Sequence, residues 1–134
     1  MSSAFLDSNV VVYAFSDDPK AERAQALLHS GKAIGVQTLN EFANVSRRKL
    51  RRDWVRIRSD TDQLLRLFPH PVPLDLPLHR QGTALSERYQ FSVWDAMIVA
   101  AALRSGCEML WSEDLHDGLV VDGRLQVVNP FRLH

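Results

Sequence analysis

The stretch Ala4-Phe5-Leu6-Asp7-Ser8-Asn9 decides how this chain is read. Three apolar residues stop abruptly at an acid, two turn-formers follow, and a second apolar run begins, Val10-Val11-Val12-Tyr13-Ala14-Phe15. An apolar run punctuated in this way reads as a buried strand meeting a turn at its C-terminal end. Ligands of open α/β sheets collect in the crevice beyond the carboxyl ends of the strands. Asp7 therefore stands where such a fold does chemistry. The plainer alternative is that Asp7 only opens the next turn through its side chain, so the question becomes whether other acids arrive at the same place.

Working outward, Asp18 and Pro19 suit a helix start. Ala21, Ala24 and Leu28 continue it as a narrow apolar stripe until Ser30-Gly31-Lys32. Ala33 to Gln37 reads as a second short strand. Thr38-Leu39-Asn40-Glu41 has capping-box spacing with Thr38 as N-cap, and Leu39, Phe42, Ala43 and Leu50 mark the buried face of the helix it opens. A further helix is expected from about Asp53 to Phe68, with Ile57, Leu64, Leu65 and Phe68 on one side. Pro69, Pro71 and Pro73 break it, and Val72 to Leu74 is compatible with an edge strand, where proline is tolerated.

Asp75 and Pro77 start another helix, which ends before Gln90. Ser92-Val93-Trp94-Asp95 repeats the capping-box spacing ahead of Ala96 to Leu103, a run apolar on nearly every side and so buried on more than one face. Gly106 ends it. Met109-Leu110-Trp111 forms the next strand and runs into Ser112-Glu113-Asp114. Asp122-Gly123 makes a turn, and Leu125 to Val128 gives the last strand. Strands alternating with helices predict a three-layer α/β/α fold around a mainly parallel sheet of four to five strands.

With 134 residues and no internal repeat or linker, residues 1–134 are expected to form one domain with its own core. No apolar run is long enough to span a bilayer and the N-terminus lacks a secretory pattern, so a cytoplasmic location is expected. Cys107 is the only cysteine, which excludes an internal disulfide. Net charge is zero, giving no global basic field for nucleic acid. The cations are uneven, however: Arg47, Arg48, Lys49, Arg51, Arg52, Arg56 and Arg58 cluster, with Asp53 the one acid among them. Arginine forks match phosphate oxygens, while a solvated helix face explains the cluster equally well. The histidines show no paired metal spacing, which argues against zinc. Trp54, Trp94 and Trp111 are candidate base-stacking residues, with Trp94 and Trp111 expected instead in the core.

Four acids share one structural address. Asp7 and Asp114 follow strand ends, while Glu41 and Asp95 fall in the first turns of helices, and these positions lie on one rim of a right-handed parallel fold. Acids also suit helix N-termini for the dipole alone. Four carboxylates drawn together, however, raise one another's pKa unless a cation neutralises them. A hard divalent ion, Mg²⁺ or Mn²⁺, suits carboxylate-plus-water coordination.

The ordered set of motifs resembles the PIN-domain ribonucleases, and most closely the VapC toxins of bacterial toxin–antitoxin pairs. The likeness is carried by Leu6-Asp7-Ser8-Asn9, by Leu39-Asn40-Glu41, by Ser92-Val93-Trp94-Asp95-Ala96 and by Leu110-Trp111-Ser112-Glu113-Asp114-Leu115, in order along essentially the whole chain. It implies that Asp7, Glu41, Asp95 and Asp114 bind metal, with Asp7 and Asp95 as principal ligands. Asn9 and Ser112 would orient them or the catalytic water. It departs at His116, where many members carry a further acid, so Glu113 and Asp117 stand as alternates for the fourth position.

The resemblance further implies a sheet order of 3-2-1-4-5 and single-strand-preferring endoribonuclease cleavage that leaves a 5′-phosphate. It also implies homodimerisation and an antitoxin whose C-terminal segment blocks the acidic pocket. An RNA-processing nuclease outside any toxin–antitoxin pair and an inactive PIN-like RNA-binding module are the alternatives within the family. A receiver-like phosphoacceptor also places an Asp at a strand end, but it needs a late lysine, and none follows Lys49.

Overall fold

The computed structural model describes residues 3–132. Along the chain run β1 (Ala4–Leu6), α1 (Ser8–Ala14), α2 (Ala21–Ser30), α3 (Val36–Arg48), α4 (Trp54–Leu67) and α5 (Leu76–Tyr89). These are followed by α6 (Val93–Arg104), β2 (Met109–Trp111), β3 (Val120–Val121) and β4 (Leu125–Val128). The strands pair in the order β1-β2-β4-β3, with β1, β2 and β4 parallel and β3 antiparallel to β4. Beyond β1, single parallel bridges place Ala33 beside Phe5 and Val72 beside Gly35. Reading across the parallel segments from Val72 through Ala33, β1 and β2 to β4 recovers the 3-2-1-4-5 succession.

Strand alternation builds the layers. Phe5 and Leu110 are register partners and face one core with Ile98, Leu78, Leu85 and Val127, under α5 and α6. Leu6, one residue on, faces the opposite core with Val10, Val11, Leu27, Phe42 and Leu64, under α1 to α4. Successive side chains of a strand point to opposite faces, so three residues of β1 suffice to seat both helical layers. All eight residues from Ala96 to Leu103 are buried, as their unbroken apolar run requires. Gly82 of α5 packs against Met97 of α6, where an added Cβ would have to displace the end of that flexible side chain. No helix of the described residues is long and apolar enough to cross a membrane.

Several local expectations need correction. The strand expected over 33–37 is reduced to the bridges at Ala33 and Gly35, because α3 already begins at Val36 with Gly35 as N-cap. Thr38 is the third helical residue, and its Oγ1 accepts from the Gly35 N–H at 3.1 Å. Glu41 therefore lies in the second turn of α3, clear of any capping duty. Leu50 lies beyond the end of α3. Helix α2 begins at Ala21, later than Asp18-Pro19 suggests, since the Asp18 carboxylate is spent on the Lys20 N–H at 2.8 Å in the turn before it. The strand expected at 72–74 is one bridge at Val72 between Pro71 and Pro73, neither of which has an N–H to donate. The antiparallel β3 is unforeseen. It returns to β4 through Asp122 and Gly123, whose φ values of 50° and 70° make the reversal.

Candidate metal centre

Asp7 leaves β1 as the N-cap of α1 and is 3% exposed. Its Oδ1 accepts from the Ser8 N–H at 2.7 Å, and its Oδ2 accepts from the Ser112 hydroxyl at 2.7 Å. Ser112 follows β2, so the parallel pairing of β1 with β2 delivers both residues to one edge. Asn9 completes the join. Its Nδ2 donates to Asp7 at 3.4 Å and to Asp114 at 3.2 Å, and its Oδ1 accepts from the Glu113 N–H at 3.2 Å. Glu41 reaches the same place from α3, accepting from the Ser8 hydroxyl at 3.0 Å and from Nε2 of Gln37 at 2.9 Å. Asp95 arrives on the first turn of α6, where its N–H bonds Oγ of the Ser92 cap at 3.1 Å.

The charges of these acids act on one another. Burial pushes the Asp7 carboxyl up to about 7 despite its hydrogen bonds from Ser112 and the Ser8 N–H, and Glu41 and Asp95 push the same way. Glu41 is raised by burial against the bonds from Gln37 and Ser8, with Asp95 and Asp114 adding to it. Asp95 is raised by burial, opposed by Ser92 and reinforced by Asp114.

Among the described residues, none of the four acids is ion-paired, whereas Asp60, Asp75, Glu113, Asp117 and Asp122 each are. Nor do three acids already stand as a closed cage for one ion among the described residues. That donor set still suits Mg²⁺, which keeps several waters and takes only one or two carboxylates directly.

The two alternates for the fourth acid are occupied elsewhere. Glu113 lines the same cleft as Asp114 but is bonded to Tyr13 and Lys20; burial alone raises its carboxyl, but the bonds from Lys20 and Tyr13 outweigh that and lower it. Asp117 accepts from the Asn129 N–H at 2.9 Å and pairs with Arg132. Asp114 is the acid on the rim with Asp7. It lines a cleft of about 380 Å³ together with Asn9, Glu41 and Lys49.

The family model for the PIN domain matches residues 4–116, most of the chain, with Asp7, Glu41, Asp95 and Asp114 inside the match. The chain belongs to the PIN domain family. No curated protein sequence matches it. Solved PIN-like structures do. A chain of a toxin–antitoxin complex from Klebsiella pneumoniae is 23% identical with a TM-score of 0.71, the match covering 98% of this chain and 100% of that one. Mycobacterium tuberculosis VapC20, described as a Sarcin-Ricin loop cleaving toxin, is 17% identical with a TM-score of 0.67, over 84% of this chain and 92% of its own. VapBC2 from Rickettsia felis, solved bound to a DNA fragment from its promoter, is 18% identical with a TM-score of 0.64, over 92% and 97%. The α/β fold of this PIN domain is thus that of the VapC-type toxin structures.

Two residues around the acids escaped the sequence reading as site residues. Ser8 and Gln37 both hold Glu41, and for Gln37 the signal was its place one turn before Glu41 on the same helix face. Trp94, expected in the core, is 66% exposed and lines a cleft of about 450 Å³ with Glu41. The buried side of α6 begins only at Ala96. Trp111 is partly buried and packs against the α1–α4 core. Within the basic cluster, Arg52 donates to the Phe15 carbonyl at 3.0 Å, Arg56 pairs with Asp60 and Arg47 covers the Trp54 ring. Lys49 is the member of the cluster that lines the acid cleft.

Proposed function

We propose that this PIN domain is a divalent-metal-dependent endoribonuclease and the toxin of a toxin–antitoxin pair. The observation that carries the reading is the convergence of Asp7, Glu41, Asp95 and Asp114 without a cationic partner among the described residues, with Asp7, Glu41 and Asp95 raised by burial and by one another or Asp114. Asp7 and Asp95 would hold the ion directly, Glu41 directly or through water, and Asp114 would complete the set. A bound Mg²⁺ or Mn²⁺ supplies Lewis acidity to the scissile phosphate and lowers the pKa of an attacking water.

The chain's own residues do the rest. Ser112 and the Ser8 N–H hold the Asp7 carboxylate in one orientation and favour its ionised form. Asn9 fixes Asp114 relative to Asp7, while Ser8 and Gln37 aim Glu41. Lys49, on the wall of the acid cleft, is placed to meet a phosphate flanking the cut. An antitoxin protein that covers the acid cleft, a homodimeric state and a cytoplasmic location belong to the same proposal. The antitoxin is supported by the likeness of fold to toxin–antitoxin structures.

The test is cleavage of single-stranded RNA by the purified chain in Mg²⁺ or Mn²⁺, beside Asp95→Asn and an EDTA control. Metal-dependent cleavage by the natural chain alone is expected. Equal cleavage by Asp95→Asn would sink the nuclease reading. Growth arrest on expression, relieved by the neighbouring gene's product, tests the toxin half separately.

A further inference from the structure

Trp94 is the most exposed aromatic side chain beside the acids, next in sequence to Asp95 and yet turned to solvent. Burying a tryptophan contributes heavily to stability, so one left in the open beside a candidate active site needs a reason. It lines two hollows. The larger, about 450 Å³, is shared with Gln37, Asn40, Glu41, Asn44 and Val45. The smaller, about 250 Å³, lies toward Leu74 and Met97. The larger hollow adjoins the acid cleft, because Glu41 and Val45 belong to both walls.

Asn40 and Asn44 sit one turn apart on α3 and line the hollow together. A carboxamide carries both a donor and an acceptor, which matches the edge of a nucleobase. Gln37 has committed its Nε2 to Glu41, leaving the two asparagines as the readers. Lined in this way, the hollow offers an aromatic wall for a base's π-face and amides for its edge. Sequence-specific recognition of single-stranded RNA works through those same two contacts.

We propose that Trp94, with Asn40 and Asn44, forms a subsite that stacks and reads one unpaired nucleobase of single-stranded RNA next to the scissile phosphate. It rests on the endoribonuclease reading and adds to it the element that selects where the strand is cut. A second copy of this chain is the rival occupant, since Val93, Leu74 and Leu76 are also exposed nearby. The asparagines and the shared Glu41 favour the base, as an apolar contact between copies has no use for them.

Trp94→Phe and Trp94→Leu separate the occupants, because phenylalanine keeps a π-face while leucine keeps only apolar area. Stacking contributes about 1–3 kcal/mol per base, so Trp94→Leu should lower kcat/KM on single-stranded RNA by roughly 5- to 150-fold, with Trp94→Phe close to the natural chain. A substrate with an abasic nucleotide beside the cut should lose a similar factor, and the abasic site and Trp94→Leu together should lose little more than either alone. Asn44→Ala should change which base is preferred there. Equal activity of Trp94→Leu and the natural chain, or fully additive losses, would overturn the subsite. A change of sedimentation with Trp94→Leu would overturn it in favour of a second copy. Binding is measured as well, by fluorescence anisotropy of a labelled single-stranded RNA with an Asp114→Asn background in EDTA. That readout needs no cleavage, so it tests Trp94 even if the nuclease reading itself fails.

Discussion

The hydroxyl of Ser112 donates to Oδ2 of Asp7 at 2.7 Å, joining the end of β2 to the end of β1 across 105 positions of sequence. Both residues are buried, and the same Oγ accepts from the Leu115 N–H at 3.2 Å. Ser112→Ala removes a donor from a buried carboxyl. A hydrogen bond to a charged group contributes about 1.5–3 kcal/mol, so a loss of that size is expected in denaturant melts with Mg²⁺ present. The bond also holds the Asp7 pKa down. Without it, Mg²⁺ binding should require a higher pH, and an unchanged pH profile of binding would contradict this account.

Asp7 makes the metal-free protein sensitive to pH in an unusual direction. Its carboxyl titrates near 3.8 when unfolded and is pushed up to about 7 when folded, chiefly by burial. Below about pH 4 it is protonated in both states and adds nothing to the balance. Between the two values the unfolded chain ionises while the folded one keeps its proton, so stability falls as pH rises. At about 1.36 kcal/mol per pH unit, the loss is about 4 kcal/mol at most. Glu41 and Asp95, also raised, act in the same sense. Thermal melting in EDTA should give a lower Tm at pH 7.5 than at pH 5, and Mg²⁺ should restore much of the difference at the higher pH.

Asn9 should govern metal affinity without being a ligand. It fixes Asp7, Asp114 and the backbone at Glu113 with a single carboxamide. Outer partners of metal ligands typically account for 10- to 100-fold in affinity, and Asn9→Ala is expected to weaken Mg²⁺ binding by about that factor. Calorimetric titration measures it directly. Asn9→Asp adds a fifth acid where burial already raises Asp7, Glu41 and Asp95, and should make the metal-free fold less stable at neutral pH.

Asp114 and Glu113 adjoin in sequence yet should answer differently to loss of charge. Glu113 is occupied with Lys20 and Tyr13, outside the acid set. Glu113→Gln should leave RNA cleavage near the natural level and cost no more than about 1 kcal/mol in stability, as partly exposed ion pairs do. Asp114→Asn should reduce cleavage by about tenfold or more, the scale on which metal sites respond to lost support. The reverse pattern, measured side by side under one metal concentration, would reassign the fourth acid.

The rim was legible because strands end where polarity begins. Leu6-Asp7 and Trp111-Ser112 mark the two strand ends without ambiguity, and parallel pairing of β1 with β2 then brings them together. Asp95 was equally readable, since Ser92 caps α6 as its spacing suggests. Thr38 misled because its hydroxyl serves a helix start from inside the first turn as well as from the cap, which displaced Glu41 by one turn. Trp94 misled because the apolar run after it says nothing about which way the first turn of α6 faces. The short bridges at Ala33 and Val72 and the two residues of β3 are too brief to leave a periodicity. The pairing of Glu113 depends on Lys20 and Tyr13, 93 and 100 positions away, and no local pattern carries it.

The two margins of the sheet are both poor templates for a neighbour. One is Val72, held by a single bridge and flanked by Pro71 and Pro73, which have no amide hydrogen to offer. The other is β3, only two residues long. Short and proline-blunted margins resist backbone zippering between molecules. Pairing of sheet margins is thereby disfavoured, which leaves side-chain surfaces to specify an assembly with its own kind or with another protein. Surface substitutions can then retune the choice of companion without disturbing the sheet that seats Asp7.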